Sequence, residues 1–348
     1  MPAVFLGKFV FQTGPSMSSA IILMNLGTPA QPTAPAVRSF LKEFLSDPRV
    51  VEIPRPLWLA ILNGFILPFR PKRIAPAYKE IWNCSADGAA VEGSPLLYYT
   101  RRQAELLQGY LRDNGHDLVV EYAMTYGEPQ LDNVIGDLRK KGCETFTVLP
   151  LYPQYSATTT AAIYDQVAQI FRKSRDIPDI SLIRDYYHHP LYIKSLANSV
   201  SEHWQAQGQA EKLLLSFHGI PKANVDKGDP YYRHCTETAR LLAEELQIEQ
   251  EQWQVTFQSR FGKAEWLQPY TDKTLIEWGK GGVKSVDVIC PAFSADCLET
   301  LEEISVENRA NFINAGGSEY RYIPALNLRE DHIEALAAII EEKLFGPK

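Results

Sequence analysis

The stretch Leu213–Cys235, LLLSFHGIPKANVDKGDPYYRHC, decides how the rest of the chain is read. Its opening run, Leu213–Phe217, has the length and apolar character of a strand buried on both faces, as in a parallel sheet. His218 follows at the carboxyl end, and Gly219 and Pro221 stop regular structure directly after it. In open α/β sheets, ligands bind in the crevice beyond the carboxyl ends of the strands. An imidazole delivered there can move a proton or ligate a metal. A lone histidine can equally be a hydrogen-bonded part of the frame, so the surrounding sequence has to decide. Beyond Gly228, Asp229 and Pro230 read as the N-cap and first residue of a helix.

Outward from this stretch, strands and helices alternate. Strands are predicted at 20–26, 118–124, 145–151, 180–184, 253–258, 285–290 and 320–323 beside 213–217. Amphipathic helices are predicted near 37–45, 100–114, 129–141, 160–174, 190–206, 230–247, 264–279, 297–314 and 330–344. Such alternation makes a parallel sheet with helices on both faces. The chain also echoes itself. Tyr126-Gly127, a helix, a strand and Pro153–Ala157 (PQYSA) form one unit; Phe261-Gly262, a helix, a strand and Pro291–Ala295 (PAFSA) form another. Two domains of like topology follow, placed at 20–185 and 186–348, the last helix packing back on the first domain. Residues 1–19 read as a disordered extension, with Met17 as an alternative start.

At 348 residues the chain can bury two cores. A net charge of −7 without a lysine-arginine run argues against nucleic-acid binding. Five scattered cysteines without a CxxC pair argue against a disulfide framework or structural zinc and fit a reducing cytosol. Residues 54–73, PRPLWLAILNGFILPFRPKR, are too short in their apolar part to cross a bilayer. Flanked by Arg55, Arg70, Lys72 and Arg73, they read as a surface-lying element or the mouth of an apolar pocket, giving a cytoplasmic protein with peripheral membrane contact. An ordinary buried helix pair is the alternative.

The second informative stretch is Pro291–Glu307, PAFSADCLETLEEISVE. On a helix from Asp296, the carboxylates Glu299, Glu303 and Glu307 share one face, where like charges repel. Asp296 with Glu299 also has capping-box spacing, and the outer glutamates can be simply solvated. In the same cleft as His218 the row becomes a path for protons or a hard cation. Motifs for dinucleotide binding, phosphoryl transfer, zinc proteolysis and serine hydrolysis are missing.

From Asn25–Pro29 (NLGTP) to Tyr322–Asn327 (YIPALN) the chain resembles the ferrochelatase family. The matches that carry this are SFHGIP with GDPY, LPLYPQYS (Leu149–Ser156), TFQSRFG (Thr256–Gly262) and DCLETLEE from Asp296. The resemblance implies two Rossmann-like domains around a porphyrin cleft, with Fe²⁺ inserted into protoporphyrin IX to make protoheme. It implies His218 and Glu299 as catalytic and metal-binding residues, and Asp296, Glu303 and Glu307 as a proton or metal relay. Arg70, Tyr78 and Ser94 match porphyrin-contacting positions, and His188 and His189 a histidine pair near the cleft. Residues 57–69 match a hydrophobic lip. The chemistry suits the residues: metal insertion removes two pyrrole protons, and imidazole is the side chain that changes charge near neutral pH.

Two departures stand out. Some family members hold a [2Fe–2S] cluster; the first cysteine position is Ala157 here and the chain ends at Lys348, so no such cluster and no resident cofactor is expected. Many members have histidine where Cys297 stands, which puts a soft thiol beside the metal path. The alternatives left open are a chelatase for coproporphyrin or another metal, and a non-catalytic tetrapyrrole-binding protein.

Overall fold

The structure is a computed structural model that describes residues 18–86, 90–262 and 264–346. It contains two four-stranded sheets. The first joins β1 (Ser18–Asn25), β2 (Leu118–Met124), β3 (Cys143–Pro150) and β4 (Asp179–Leu182) in the order β2-β1-β3-β4. The second joins β5 (Lys212–His218), β6 (Trp253–Gln258), β7 (Ser285–Ile289) and β8 (Glu319–Ile323) in the order β6-β5-β7-β8. Every pairing is parallel. The fold class is therefore the expected one, and the central strands are apolar throughout because helices cover both faces. Ile21–Met24 and Leu213–Phe217 are almost completely buried.

The internal echo in sequence is a repeated topology: each half starts with a central strand, adds an edge strand, then crosses to the other side. Local details repeat with it. The N–H of Met124 donates to Pro129 O at 2.8 Å, and the N–H of Phe257 donates to Pro269 O at 2.8 Å. Each first strand is followed by a close backbone approach that only glycine permits. A Cβ on Gly27, where φ is +105°, would lie 1.7 Å from Tyr126 O; one on Gly219 would lie 2.8 Å from Gln258 O.

A shared core fills the space between the halves, with Leu107, Leu111, Val200, Phe217, Leu336 and Ile340 all buried in one cluster. The last helix, Glu330–Phe345, packs against both Pro95–Asp113 and Pro190–Gln207. His116 Nε2 and Glu341 Oε1 meet at 2.9 Å across that contact.

Several elements differ from expectation. Residues 1–17 of the expected extension lie outside the described residues, and Ser18 and Ser19 already belong to β1. The helix expected from 100 starts at Pro95, because proline at the first helical position sets the entry. The helix expected from 264 starts at Thr271, since the preceding loop is used to bring Pro269 beside β6. The helix expected over 297–314 is a π-helix at Glu299–Asn308 followed by an α-helix at Arg309–Asn314. Side chains satisfy the wider turn: Ser305 Oγ donates to Thr300 O, Asn308 Nδ2 to Glu303 O, both at 2.9 Å, and Tyr320 OH to Ile304 O at 2.7 Å.

Candidate active site

β5 delivers His218 as its last residue, in register with Gln258 at the end of β6. The N–H of Gly219 donates to Gln258 O at 2.8 Å and holds the turn after the histidine. His218 Nδ1 lies 2.7 Å from Gly219 O. A carbonyl only accepts, so this contact places the ring proton on Nδ1 and leaves the Nε2 lone pair available.

Facing this strand end is the π-helix. Its turn holds between four and five residues, so Glu299, Glu303 and Glu307 stay close to one line. Along that line Glu299 and Glu303 are half-buried, and Glu307 is exposed. Glu303 is the most tightly held. Ser259 takes a left-handed backbone, φ +64°, which turns both its N–H (2.8 Å) and its hydroxyl toward the Glu303 carboxylate. Burial raises the Glu303 pKa above the ordinary carboxylate range, while Ser259 and the nearby His218 oppose the rise. Glu302, next to Glu303, is also raised, first by burial and then by Glu307, Glu303, Glu80 and Glu299. A row of carboxylates whose charges already resist one another readily accepts protons or a cation.

Asp296 differs from its expected place in the relay. It is fully buried, and Tyr322 OH (2.6 Å), Asn327 Nδ2 (2.7 Å) and Thr300 Oγ1 (2.8 Å) all donate to it. A carboxylate so saturated anchors the start of the helix. The capping-box alternative is not realised either: the Asp296 N–H donates to Asn327 Oδ1 at 2.9 Å rather than to Glu299.

From the first half, the helix Leu67–Ile81 brings Arg70 and Tyr78 to the site. Burial raises the Tyr78 pKa, Glu299 and Cys297 raise it further, and Arg70 opposes them. Burial lowers the Arg70 pKa, and its guanidinium lies 4.4 Å over the Phe261 ring, linking the lip to the loop after β6. Ser94 is buried at the start of the helix whose Leu96 and Tyr99 pack against Ala295 and Cys297. Burial and Glu299 push the Cys297 thiol well up, so it is a neutral thiol rather than a thiolate. The described contacts of His188 and His189 lie elsewhere. His189 Nε2 meets Glu342 at 3.2 Å, and His188 packs on Tyr187, which stacks on His234.

The lip is more deeply seated than its sequence indicates. Trp58 and Leu62 are buried, and Trp58 Nε1 donates to Leu45 O at 2.6 Å. Leu57, Phe65 and Phe69 are 57%, 72% and 70% exposed and form its outward face. Among the described residues no helix is long and apolar enough to cross a membrane. Nor do three His, Cys, Asp or Glu side chains among them converge as a ready metal cage. Two cavities, of about 410 and 470 Å³, lie beside Glu302 and Tyr320 and beside Tyr98 and Arg329; His218, Glu299 and Glu303 line neither.

Two further groups were not singled out from sequence. Tyr152 is half-buried with its hydroxyl turned inward; burial raises its pKa, Thr125 opposes the rise, and Cys297 and Glu299 add to it. Ser259 sits in the TFQSRFG stretch, and its place just past a strand end, like that of His218, was the available signal.

Two like parallel sheets with a histidine and a carboxylate row at their carboxyl ends are the architecture of a chelatase. Solved structures agree at the level of fold: SirB from Bacillus subtilis with Fe³⁺ matches with a TM-score of 0.54 at 12% identity, covering 94% of this chain and 95% of that one. A Deinococcus radiodurans protein, DR2241, described as similar to chelatases, matches with a TM-score of 0.52 at 13% identity, covering 95% of this chain and 56% of that one. The ferrochelatase family model matches residues 18–344. The ferrochelatase of Dechloromonas aromatica is 51% identical over 345 residues, 98% of this chain and 92% of that one. That of Psychrobacter cryohalolentis is 52% identical over 322 residues, 92% and 93% of the two chains. The chain belongs to the ferrochelatase family: it is a lyase of the metal-chelatase class that makes heme by inserting iron into a porphyrin.

Proposed function

We propose that the porphyrin is protoporphyrin IX and the metal Fe²⁺, and that two pyrrole protons leave through His218 and the glutamate row. The observation that carries the residue assignment is the fixed tautomer of His218 beside Glu303. Nδ1 is committed to Gly219 O, so Nε2 can take a proton from a pyrrole nitrogen. Glu299 receives the metal side of the exchange, and Glu303 and then Glu307 lead protons from half-buried to exposed positions. Fe²⁺ accepts imidazole and carboxylate donors and is cargo here, bound in passing. Arg70, Tyr78 and Ser94 are assigned to the porphyrin rim on the first-half side.

The same reading assigns Leu57, Phe65 and Phe69 to peripheral contact with a membrane surface, with the exposed Lys72 and Arg73 nearby for anionic headgroups. It divides the chain near residues 185–186 into two domains and gives it no [2Fe–2S] cluster, because Ala157 offers no thiolate and its N–H serves Asp229 at 2.7 Å. The test is anaerobic heme formation with protoporphyrin IX and coproporphyrin, each offered Fe²⁺, Co²⁺ and Ni²⁺. The reading expects the highest kcat/KM for protoporphyrin with Fe²⁺. Faster turnover of coproporphyrin or of another metal would overturn the substrate assignment, and tight porphyrin binding without insertion would favour a binding protein.

A further inference from the structure

Gln258 ends β6, is 3% exposed and takes part in no step described above. Its carboxamide is held on both sides. Behind it, Ser216 Oγ donates to Oε1 at 2.7 Å, and the Cys290 thiol approaches the same oxygen at 3.7 Å. Ser216 is itself tied to Thr271 Oγ1 at 2.9 Å, and Thr271 to Thr256 Oγ1 at 2.9 Å, all buried. With Oε1 committed to these donors, the amide cannot flip, and its NH₂ must point forward. There it meets Glu299 O at 3.1 Å and the Glu303 carboxylate at 3.3 Å.

We propose that Gln258 is a positioning residue for the iron-insertion reaction: its locked carboxamide fixes the first turn of the π-helix and the Glu303 side chain opposite His218. Three features support it. Gln258 is the strand partner of His218, so the same residue sets the spacing of both sides of the site. It holds one main-chain carbonyl and one carboxylate of the acidic helix with a single rigid group. And its rear contacts lead into a buried hydroxyl network of Ser216, Thr271 and Thr256. The inference rests on the reading that Glu303 takes part in proton removal.

The test is Gln258→Leu, Glu303→Gln and the double variant, assayed for anaerobic heme formation, with porphyrin affinity followed by fluorescence. Misplacement of a reacting group by about 1 Å costs on the order of 100-fold. Gln258→Leu is therefore expected to lose roughly 10- to 100-fold in kcat, with KM for porphyrin and porphyrin affinity within twofold. In the Glu303→Gln background the same change is expected to cost less than threefold, because the carboxylate through which Gln258 mainly acts is already gone and only its contact with Glu299 O is left to lose. Gln258→Glu, nearly isosteric, keeps the acceptor for Ser216 and should show the same kcat loss if the leucine variant folds poorly. An equal loss in both backgrounds, or wild-type kcat in Gln258→Leu, would overturn the positioning role alone. Wild-type kcat in Glu303→Gln would overturn the assignment of Glu303 beneath it and the positioning role with it.

Discussion

Replacing Ser259 by alanine removes one hydroxyl donor from Glu303 and leaves the Ser259 main-chain N–H, 2.8 Å from the same carboxylate, in place. A hydrogen bond to a charged group contributes about 1.5–3 kcal/mol. One pKa unit corresponds to about 1.4 kcal/mol, so the Glu303 pKa should move by roughly one to two units. The direction follows from the charged form being the one stabilised. Burial already holds the Glu303 pKa above the ordinary carboxylate value, Ser259 opposes that rise, and its loss moves the pKa further up. Glu303 takes protons only when ionised, so the acid limb of the kcat–pH profile should shift upward by roughly one to two pH units. The plateau above it should stay near wild type. The assay is the initial rate of heme formation across pH 5–9, with unfolding curves for both proteins as a check on the fold. An acid limb that stays where it is, in a Ser259→Ala protein of wild-type stability, would refute the role given to Glu303.

Three other outcomes follow from the same structure. Phe65→Ser with Phe69→Ser removes two side chains that are 72% and 70% exposed; burying that surface in a lipid interface is worth about 2–4 kcal/mol, so vesicle partitioning should fall roughly 30- to 1000-fold, and unchanged cosedimentation would restrict the lip to the porphyrin. His332 is buried, and burial lowers its pKa to about 4, so the unfolded chain gains this proton first as pH falls through about 6.5; stability should drop by about 1.4 kcal/mol per pH unit down to about 4. His332→Leu should flatten that part of the urea-denaturation profile, and an unchanged slope would contradict the assignment. Arg321 donates to Asp287 at 2.7 Å, and both side chains are largely buried; Arg321→Met should cost about 3–5 kcal/mol in a denaturant titration by leaving a buried charge short of its partner, whereas a loss below 1 kcal/mol would show the pair to be dispensable.

Much of the fold is legible in the sequence because its strands are short apolar runs stopped by glycine and proline. The predicted limits of Trp253–Gln258 and Leu118–Met124 are the observed ones. The repeat was legible through PQYSA and PAFSA, which close corresponding βαβ units. What stayed hidden depends on packing. Glutamates four apart line up on an α-helix and on a π-helix alike, so the true form of Glu299–Asn308 had no separate signal; it is set by side-chain bonds such as Asn308 to Glu303 O. In 54–73 apolar residues crowd the segment on all sides, which gives no indication of which of them turn inward. Trp58 does so because Leu45 O, from another helix, accepts its indole N–H. Asp296 reads as the first member of the row, but Tyr322 and Asn327 from β8 and the loop after it, with Thr300 one turn on, bind it into the frame. The family resemblance implies His188 and His189 as cleft residues, while their described partners are Tyr187 and Glu342. Local pattern decides element type; which polar side chains remain free for chemistry is decided by tertiary partners.

The most direct test is anaerobic Fe²⁺ insertion into protoporphyrin IX by the wild type and His218→Ala side by side. Rapid heme formation by the wild type, almost none by the variant, and equal porphyrin binding by both are predicted. Comparable heme formation by His218→Ala would contradict the claim that the imidazole at the end of β5 is the group on which the reaction depends.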